Sequence, residues 1–535
     1  MDPGSFFQHD KKEENTRDHN EPSLSPHNID KIDYRHSFIT FTNTNTNMEG
    51  MSEIGLYGLA IMGQNFALNM AEHGFNVCVG NRSPSKVETT VARAKAEGIT
   101  TLVGSTDAKD FVMKLSKPRK IVILVQAGKP VDATIETLSE HLEEGDIIID
   151  GGNEWYPNTL RRSEELMAKG IQFIGMGISG GEEGARNGPS LMPGGPMAAY
   201  KEIEPIIMKC AAQVRDGACT GYVGPIGSGN YVKMVHNGVE YGDMQLIAEV
   251  YAVLKTIVGM SNDEMAKVFA KWDEGDLNSY LIEITAKILA KKDDKTGEGH
   301  VVDHILDKTG SKGTGRWTVQ EAAEVSVAAP TLAAALDARY ISSRKDERIA
   351  ASKLLMGPKE LPSVSKSQIV EDLEAALYCA KVCSYAQGLS IIKAASDQKG
   401  WDIDLAQCAK MWKGGCIIRA ELLDKIQGAF TGTPPVNLLV DPTFAKELND
   451  RQLSWRRIIT LCVASGVPCP SLSSSLSYFD SYRLAQLPAN LTQAQRDFFG
   501  GHTYERIDAE GPHHTEWTDA HKAIGDISER TAGEN

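Results

Sequence analysis

The chain has 535 residues, of which 41% are hydrophobic and 24% charged, and its formal net charge is −15. This length allows several domains with sizeable cores, and the composition is that of a soluble globular protein. An acidic chain repels nucleic acid and anionic membranes, and no uninterrupted apolar run is long enough for a bilayer, so we expect neither partner. The nine cysteines have no paired or zinc-type spacing, which predicts reduced thiols, no metal site and a cytoplasmic location.

Residues 1–50 differ from the rest of the chain. They are polar, rich in Asn, Thr, Asp and His, and lack apolar periodicity. We predict a disordered N-terminal extension, because such a segment cannot bury enough apolar surface to fold. It has no apolar core typical of a signal peptide. Organellar transit peptides are poor in acidic residues, whereas this segment carries several between Asp10 and Glu21, so we favour a cytoplasmic protein over an organellar one.

A dinucleotide-binding site is predicted directly after the N-terminal extension. Ile54–Tyr57 reads as a short buried strand, Gly58 to Gly63 as a glycine turn, and Gln64–His73 as a helix. In such a unit the first glycine makes the tight turn, the last lets helix and strand pack, and the helix N-terminus faces the pyrophosphate. Ala60 replaces the middle glycine, so the fingerprint is imperfect, although its structural context is right.

The next strand, predicted over Asn76–Gly80, leads into Asn81, Arg82 and Ser83. NAD sites usually place an acidic residue here to bind the ribose 2′-hydroxyl. A carboxylate would repel a 2′-phosphate, and an arginine attracts it. Arg82 therefore favours NADP over NAD.

Three further strands end in polar or glycine-rich loops. We predict strands over Ile121–Val125, Asp146–Asp150 and Gln172–Ile178. The loops that follow are Gln126-Ala127-Gly128, Gly151-Gly152-Asn153 and Ser179-Gly180-Gly181. Because ligands bind outside the carboxyl ends of parallel strands, we expect the three loops to share a site.

Long helical patterns replace the strands after Gly229. The predicted helix over Asn230–Asp243 places a polar stripe where a packed helix normally has an apolar one. The stripe consists of Lys233, His236, Asn237, Glu240 and Tyr241. Gly238 and Gly242 lie on a neighbouring face and indicate that something approaches the backbone closely. Five proton-handling or polar groups in one stripe predict a catalytic site, although a solvated helix face would share the pattern.

Three features complete the chain. Trp272-Asp-Glu-Gly275 is echoed by Trp412-Lys-Gly-Gly415, which indicates a duplicated helical unit. The basic loop Gly310–Trp317 lacks the spacing of an ATP-binding loop. The segment that follows residue 491 is predicted to be loop-like and to dock on a partner subunit.

Together these motifs resemble the 6-phosphogluconate dehydrogenase family from about residue 52 to about residue 517. The motifs that carry the resemblance are Gly58–Asn65, Asn81-Arg82-Ser83, Gly151-Gly-Asn153, Ser179–Arg186, Leu191–Gly195, Lys233–Tyr241, Lys312-Gly-Thr314 and Arg496–His502. The resemblance implies an α/β Rossmann-type NADP-binding domain at 51–228, a large all-α domain with an internal repeat at 229–490, and a tail at 491–535 that enters the partner subunit of a homodimer.

The resemblance also implies roles for residues. Lys233 matches the general base that takes a proton from the C3 hydroxyl during hydride transfer to NADP, and Glu240 matches the acid that protonates C1 after carbon dioxide leaves. Substrate contacts match Asn153, Ser179, Gly180, Gly181, His236, Asn237, Tyr241, Lys312, Thr314, Arg339, Arg496 and His502, the last two from the partner's tail. Cofactor contacts match Gly58, Ala60, Ile61, Met62, Gly63, Asn81, Arg82, Ser83, Val125, Gln126, Ala127 and Asn153.

The chemistry sets requirements for the two catalytic groups. Lys233 needs a pKa lowered by burial or by a neighbouring cation, for which Lys312 is the candidate, and Glu240 needs a raised pKa. The sequence departs from many relatives at two places: Gln126 replaces a lysine near the cofactor, and Glu154-Trp155 replaces Ser-Glu after Asn153.

Three other classes of protein share parts of this pattern. A β-hydroxyacid dehydrogenase that does not decarboxylate would have the catalytic lysine but would not need Lys312-Gly-Thr314 or the Arg496/His502 tail. An NADP-binding sensor would have lost Lys233 or Glu240, and both are present. A metal-dependent isomeroreductase would need a carboxylate cluster in the helical domain, and the sequence offers no defined candidate.

Overall fold

The computed structural model describes residues 51–358 and 362–518. The N-terminal extension predicted for residues 1–50 lies outside these ranges. The first part of the described chain alternates strands and helices. Its strands are β1 (Ile54–Tyr57), β2 (Val77–Gly80), β3 (Leu102–Ser105), β4 (Lys120–Ile123), β5 (Ile147–Asp150), β6 (Gln172–Ser179) and β7 (Ser190–Gly194). Its helices are α1 (Ile61–Glu72), α2 (Pro84–Ala96), α3 (Ala108–Met113), α4 (Lys129–Ser139), α5 (Tyr156–Met167), α6 (Gly181–Asn187) and α7 (Met197–Cys210).

These strands form a seven-stranded sheet in the order β3-β2-β1-β4-β5-β6-β7. The first six strands are parallel, and β7 runs antiparallel to β6. Residues of β1, β2, β4 and β5 are almost all buried, as expected of strands covered on both faces by helices. The strand order reverses direction between β1 and β4, so the dinucleotide crevice opens there, beyond the carboxyl ends of these strands.

The second part of the described chain is almost entirely helical. Two short hairpins flank it, β8 (Gln213–Val214) with β9 (Gly217–Ala218), and β10 (Tyr504–Glu505) with β11 (Pro512–His513). Its helices are α8 (Ser228–Thr256), α9 (Asn262–Trp272), α10 (Tyr280–Ala290), α11 (Thr314–Glu324), α12 (Pro330–Ser343), α13 (Lys345–Ala351), α14 (Lys366–Lys399), α15 (Leu405–Trp412), α16 (Leu422–Phe430), α17 (Pro442–Ser465), α18 (Pro470–Tyr482) and α19 (Ala489–Gly500).

The 29-residue helix α8 joins the helical core to the sheet. It lies on β6 where glycines leave room for it, because a Cβ at Gly177 would stand 2.2 Å from the Cβ of Lys233 and one at Gly175 would stand 2.0 Å from Asn230 Oδ1. A substitution at Gly177 would therefore push α8, and Lys233 with it, off the sheet. The glycines of β6 thus set the position of the polar stripe.

The predicted repeat agrees with the order of the helices. A long helix is followed by two shorter ones in α8-α9-α10 and again in α14-α15-α16. Trp272 ends α9 and Trp412 ends α15, and both side chains are fully buried in the helical core. Similar sequence at these two tryptophans therefore reflects similar packing positions.

Several predicted boundaries differ from the structure. Helix α1 begins at Ile61 rather than Gln64, because the turn is compact enough for the helix to start inside the glycine motif. Strand β4 ends at Ile123 rather than Val125. The prediction that the segment after residue 491 is loop-like is wrong in part, since α19 and the hairpin β10-β11 lie there. The buried carboxylate of Asp497 organises this segment by accepting hydrogen bonds from Thr503, Thr515 and Trp517.

Candidate functional site

A cleft of about 640 Å³ opens between the carboxyl edge of the sheet and helix α8. Its walls come from both parts of the chain, so neither part makes the site alone. The residues that line it are Met62, Asn153, Ile178, Ser179, Gly180, Gly181, Lys233, Asn237, Glu240, Tyr241, Met244, Gly310, Ser311, Lys312, Thr314, Arg339 and Ile417. Four of the five residues of the predicted stripe and two of the three predicted loops therefore meet in one cavity, while His236 is buried behind it.

The glycine turn between β1 and α1 has the geometry that a dinucleotide needs. Gly58 has φ +112°, a conformation that favours glycine, and a Cβ at Gly63 would lie 1.9 Å from the carbonyl oxygen of Gly58. Ala60 has an ordinary extended conformation, φ −76°, so the middle position of the motif does not require glycine here. Ala60, Ile61 and Met62 open α1, whose first N–H groups face the crevice and can bind a pyrophosphate.

The loop after β2 is tied to that turn. The side chain of Asn81 accepts a hydrogen bond from Leu59 N at 3.0 Å and donates one to Ser83 O at 3.2 Å. Arg82 and Ser83, between and after these bonds, are exposed. The fixed loop thus presents a free arginine beside the pyrophosphate-binding turn, where a ribose 2′-phosphate would lie.

The loop Val125–Gly128 after β4 is held by Glu154, which the sequence marked only as a departure from relatives, and by Arg162, which it did not single out. The carboxylate of Glu154 accepts from Gly128 N at 2.8 Å, and Arg162 donates to Gly128 O at 3.0 Å. Glu154 and Arg162 are both buried and form an ion pair at 2.6 Å. Gln126 is exposed on this loop, while Val125 and Ala127 are half-buried.

The stripe on α8 forms one hydrogen-bond network. Lys233 Nζ donates to Asn237 Oδ1 at 2.8 Å, and His236 Nδ1 lies 2.9 Å from the same oxygen. On its other side His236 Nε2 lies 3.3 Å from Ser179 Oγ. Asn237 Nδ2 in turn donates to Thr314 Oγ1 at 3.2 Å. The network runs from the end of β6 through α8 to the start of α11, so it fixes Lys233 relative to both halves of the cleft.

Burial controls the protonation of the two basic groups. Burial lowers the pKa of Lys233 to about 8, although the nearby carboxyl of Glu240 acts in the opposite direction. Of the two causes expected from the sequence, burial is confirmed, and the cation Lys312 is not among the groups that shift this pKa. Burial and the charge of Lys233 lower the pKa of His236 well below its usual value. His236 is therefore neutral, and the network is satisfied when Nδ1–H donates to Asn237 and Nε2 accepts from Ser179.

Glu240 lies two turns beyond Lys233, roughly 10 Å along the helix axis. Burial raises the pKa of its carboxyl, and the charges of Lys233 and Arg339 only partly offset this effect. The raised pKa agrees with the requirement derived from the sequence. A lysine with a lowered pKa and a carboxyl with a raised pKa thus face the same cleft, a separation typical of acid–base catalysis.

The far end of the cleft is positively charged and aromatic. The guanidinium of Arg339 stacks on the ring of Tyr241, 3.4 Å from its centroid, and donates to Gly310 O at 3.2 Å. Tyr241 Oη lies 3.2 Å from Ser311 Oγ. Exposed Lys312 lies on the same loop. Arg339 thus points into the cleft rather than pairing on the helix surface, and this end suits a phosphate.

The close approach predicted at Gly238 and Gly242 is confirmed, and side chains of neighbouring helices make it. A Cβ at Gly238 would meet the side chain of Thr318 at 2.4 Å, and one at Gly242 would meet that of Ser384 at 2.4 Å. They allow α11 and α14 to pack closely on α8. Arg496 and His502 do not line the cleft of their own chain, and their assignment to the partner's cleft stays a prediction; Arg496 donates to Gln493 within α19, and His502 packs against Phe499.

Apolar wall residues were missed because they carry no chemical signature. Ile178, Met244 and Ile417 line the cleft. Ile178 directly precedes a predicted site residue in the sequence, and Met244 lies one helical turn after another on α8. These positions were the signal that could have identified the two residues. Ile417 reaches the cleft through the close contact between Gly415 and Gly180, which the sequence alone does not reveal.

Residues 51–358 and 362–518 contain neither a membrane-spanning helix nor a metal-binding cluster. No helix in those ranges has the length and apolar character needed to cross a membrane. The same ranges hold no group of three or more His, Cys, Asp or Glu side chains that could bind a metal ion. All nine cysteines lie within them and are buried as free thiols.

A glycine turn at the switch point of a parallel sheet binds a dinucleotide, and the lysine and carboxyl beside it can exchange protons with a bound alcohol. The fold and site therefore define a nicotinamide-dinucleotide-dependent oxidoreductase. Residues 53–224 match the model of the NAD binding domain of 6-phosphogluconate dehydrogenase, and residues 229–517 match that of the 6-phosphogluconate dehydrogenase C-terminal domain.

Known proteins agree with these matches. The chain is 58% identical over 472 residues to 6-phosphogluconate dehydrogenase, decarboxylating 1, of Spinacia oleracea, covering 87% of this chain and 98% of the relative. It is 54% identical over 473 residues to the Synechocystis enzyme, covering 87% and 97%. The solved Plasmodium falciparum 6-phosphogluconate dehydrogenase superposes with a TM-score of 0.82 at 47% identity, covering 87% of this chain and 100% of that one. The chain belongs to the 6-phosphogluconate dehydrogenase family.

Proposed function

We propose that the chain performs its family's reaction with Lys233 as general base and Glu240 as general acid. It oxidises and decarboxylates 6-phospho-D-gluconate to D-ribulose 5-phosphate and carbon dioxide, and it reduces NADP to NADPH. The observation that carries the assignment of roles is the pair of opposite pKa shifts on α8, with Lys233 lowered to about 8 and Glu240 raised, both in the cleft beside the dinucleotide turn.

The oxidation needs a base at C3. Neutral Lys233 removes the proton of the C3 hydroxyl, and Asn237 holds its amine in place through the 2.8 Å hydrogen bond. Bound NADP supplies the acceptor for the hydride that leaves C3. The turn from Gly58 to Gly63, with the loops at Asn81–Ser83 and Val125–Ala127, would hold that cofactor at the mouth of the cleft. Asn153 lies where cofactor and substrate meet.

The decarboxylation needs a cation at the new ketone and then an acid at C1. Protonated Lys233 faces the ketone oxygen, which accepts the electrons of the breaking bond to carbon dioxide. The enediol that results takes a proton at C1 from Glu240. Because a protonated lysine stabilises the enolate oxygen, this sequence of steps does not depend on a metal ion.

The remaining contacts form two groups, one for each charged end of the substrate. Ser179, Gly180 and Gly181 line the end of the cleft near Lys233, where the carboxylate and its neighbouring hydroxyls would bind, and His236 lies behind Ser179. Tyr241, Lys312, Thr314 and Arg339 surround the other end, where the phosphate would bind. The stacked guanidinium of Arg339 and the exposed amine of Lys312 supply the local positive charge that an acidic protein needs for a dianion.

The cofactor preference is assigned to Arg82. Replacement by glutamine removes a charged hydrogen bond to the 2′-phosphate, so we expect the Kd for NADP to rise about 10- to 100-fold and the Kd for NAD to change less than twofold. Isothermal calorimetry with both cofactors measures this. Arg93→Gln, at the other end of α2 and paired with Glu97, is the matched control. Equal weakening of NADP and NAD would contradict the assignment.

We further propose a homodimer in which the tail from residue 491 completes the partner's site with Arg496 and His502. The support is that both residues lie outside the cleft of their own chain, while exposed apolar side chains such as Leu491 and Phe499 remain on the tail. We also propose domain boundaries at 51–228 and 229–490, and a cytoplasmic location, although several relatives are named as chloroplastic.

Tail exchange predicts complementation between two inactive variants. A Lys233→Met chain donates an intact tail, and an Arg496→Ala/His502→Ala chain donates an intact cleft. Random mixing of equal amounts makes half of the dimers mixed, each with one complete site, so we expect about a quarter of wild-type activity to return. Refolding or coexpression followed by an NADPH assay measures it. Absence of any recovery, with mixed dimers shown by mass spectrometry, would contradict tail exchange.

The reaction itself is tested by supplying 6-phosphogluconate with NADP or NAD and trapping carbon dioxide. We expect NADPH and carbon dioxide in equal amounts and slower reduction of NAD. NADPH without carbon dioxide would instead indicate a dehydrogenase that does not decarboxylate. Binding of NADP without any reduction would indicate a sensor.

A further inference from the structure

Two consecutive residues join the cofactor side of the cleft to the substrate side. Glu154 and Trp155 directly follow Asn153 at the end of β5, and their side chains point to different partners. We propose that Glu154 and Trp155 are positioning residues that hold the loop Val125–Gly128 and the loop Gly310–Thr314 in their relative places. This inference rests on the proposed assignment of these loops to cofactor and substrate.

Glu154, itself buried, holds the cofactor-side loop through a set of hydrogen bonds. Its carboxylate accepts from Gly128 N at 2.8 Å, from Arg162 Nη1 at 2.6 Å and from Asn158 Nδ2 at 3.0 Å. Arg162 closes the set, because it also donates to Gly128 O at 3.0 Å and to Asp132 on α4 at 2.7 Å. Both peptide groups of the loop's last residue are thereby fixed.

The charge state of Glu154 suits this task. Burial alone would raise the pKa of its carboxyl, but the hydrogen bonds from Gly128, Arg162 and Asn158 outweigh it and lower the pKa. Glu154 therefore stays ionised at neutral pH and offers acceptors only. A neutral amide in its place would keep the volume but turn one acceptor into a donor facing Gly128 N–H or Arg162.

Trp155 makes the connection to the substrate-side loop. Its ring lies 5.5 Å from that of Trp317, centroid to centroid, in a tilted arrangement. Trp317 belongs to the first turn of α11 and covers Gly313, where a Cβ would stand 3.3 Å from the indole. The pair thus packs against the backbone that carries Lys312 and Thr314. An aromatic contact of this kind is stabilising beyond the area it buries.

The chain provides a matched control at the other end of the same strand. Asp146, immediately before β5, forms a buried ion pair with Arg119 at 2.9 Å and accepts from Arg119 N at 2.7 Å. It resembles the Glu154–Arg162 pair in burial and charge but lies at the edge of the sheet remote from the cleft. Asp146→Asn therefore reports the cost of breaking a buried pair without touching either loop.

The first test compares Glu154→Gln with Asp146→Asn by calorimetry and thermal unfolding of the protein without ligands. The Tm of both variants is expected to fall to a similar extent. Only Glu154→Gln is expected to raise the Kd for NADP, by about 10-fold, an effect within the usual range of coupling between sites. An unchanged Kd in Glu154→Gln, or an equal rise in both variants, would overturn the proposal.

The second test does not depend on the buried pair. Trp155→Phe and Trp317→Phe are each expected to raise the KM for 6-phosphogluconate about 5-fold with kcat nearly unchanged, and the double variant to show no further rise, because contacting residues are non-additive. Trp401→Phe, in the same aromatic cluster but against Tyr156 and Tyr231, is the control with normal KM. Additive effects, or an equal KM change in Trp401→Phe, would overturn the role of Trp155. Inactive wild-type protein would refute the proposed function and not this inference.

Discussion

Replacement of Lys233 by methionine is expected to lower kcat by about 10³-fold and to leave the Kd for NADP unchanged, since a positioned general base typically contributes 10²- to 10⁴-fold. Methionine keeps the length of the side chain and its packing over Gly177, so the loss reports the missing amine rather than a displaced helix. Single-turnover and steady-state formation of NADPH measure the effect. The buried position also favours the variant's stability, because the apolar side chain needs no hydrogen-bond partner.

The pH dependence of the wild-type enzyme tests the same role. The lysine must be neutral to act as base, and its pKa is about 8, so its active fraction is roughly one tenth at pH 7 and increases as the pH rises through 8. We expect kcat/KM for 6-phosphogluconate, which reports the free enzyme, to rise with pH over this window. A fall in kcat/KM across the same window would contradict the assignment.

Lys312→Met separates the base from the other lysine of the cleft. Lys312 is exposed and lines the cavity at the end proposed for the phosphate, and the proposed mechanism gives it no proton transfer. Its loss is expected to raise the KM for 6-phosphogluconate and to change kcat less than threefold. A Lys233→Met variant with near-normal kcat, or a Lys312→Met variant as inactive as expected for Lys233→Met, would refute the division of roles.

Replacement of Glu240 by glutamine is expected to lower kcat by about 10²-fold, because the enediol then lacks a positioned proton donor at C1. Glutamine retains the size and polarity of the protonated acid but cannot donate a proton of suitable acidity. Steady-state kcat and the yield of ribulose 5-phosphate per NADPH measure the loss. We expect NADPH to form faster than the final product, since the oxidation step does not require Glu240.

The matched control for Glu240 lies on the same helix. Glu249 is a buried carboxyl of α8, but it accepts from Ser471 N and Leu472 N, each at 2.9 Å, away from the cleft. Glu249→Gln is expected to lower the free energy of unfolding and to leave kcat within twofold. If Glu240→Gln and Glu249→Gln reduced kcat equally, the effect would be a general disturbance of α8 and not the loss of an acid.

The central part of the site could be predicted because its residues follow local rules. The helical period alone brings Lys233, Asn237 and Glu240 onto one face, and the structure places all three in the cleft. The rule that ligands bind at the carboxyl ends of parallel strands brought Asn153 and Ser179 to the same place. The glycine turn was recognised despite Ala60, because a strand precedes it and a helix follows it.

The sequence could not show contacts between distant segments. Gly238 and Gly242 indicated a close approach, but whether a ligand or a helix approached depended on where Thr318 and Ser384 lie in space. Glu154 was visible in the sequence only as a departure from relatives, because its contacts with Arg162 and Gly128 join distant segments. The burial that lowers the pKa of Lys233 arises from the whole assembly of sheet and helices, so the sequence alone left open whether burial or the cation Lys312 was the cause.

The most direct test of the two-residue mechanism follows solvent hydrogen in a single turnover in D₂O. In the wild-type enzyme we expect one NADPH, one carbon dioxide and one ribulose 5-phosphate with a single deuterium at C1. In Glu240→Gln we expect NADPH and carbon dioxide to appear in a burst while the C1-deuterated product lags behind them, and in Lys233→Met we expect none of the three. Deuterium entering C1 at the wild-type rate without Glu240, or an NADPH burst without Lys233, would contradict the mechanism.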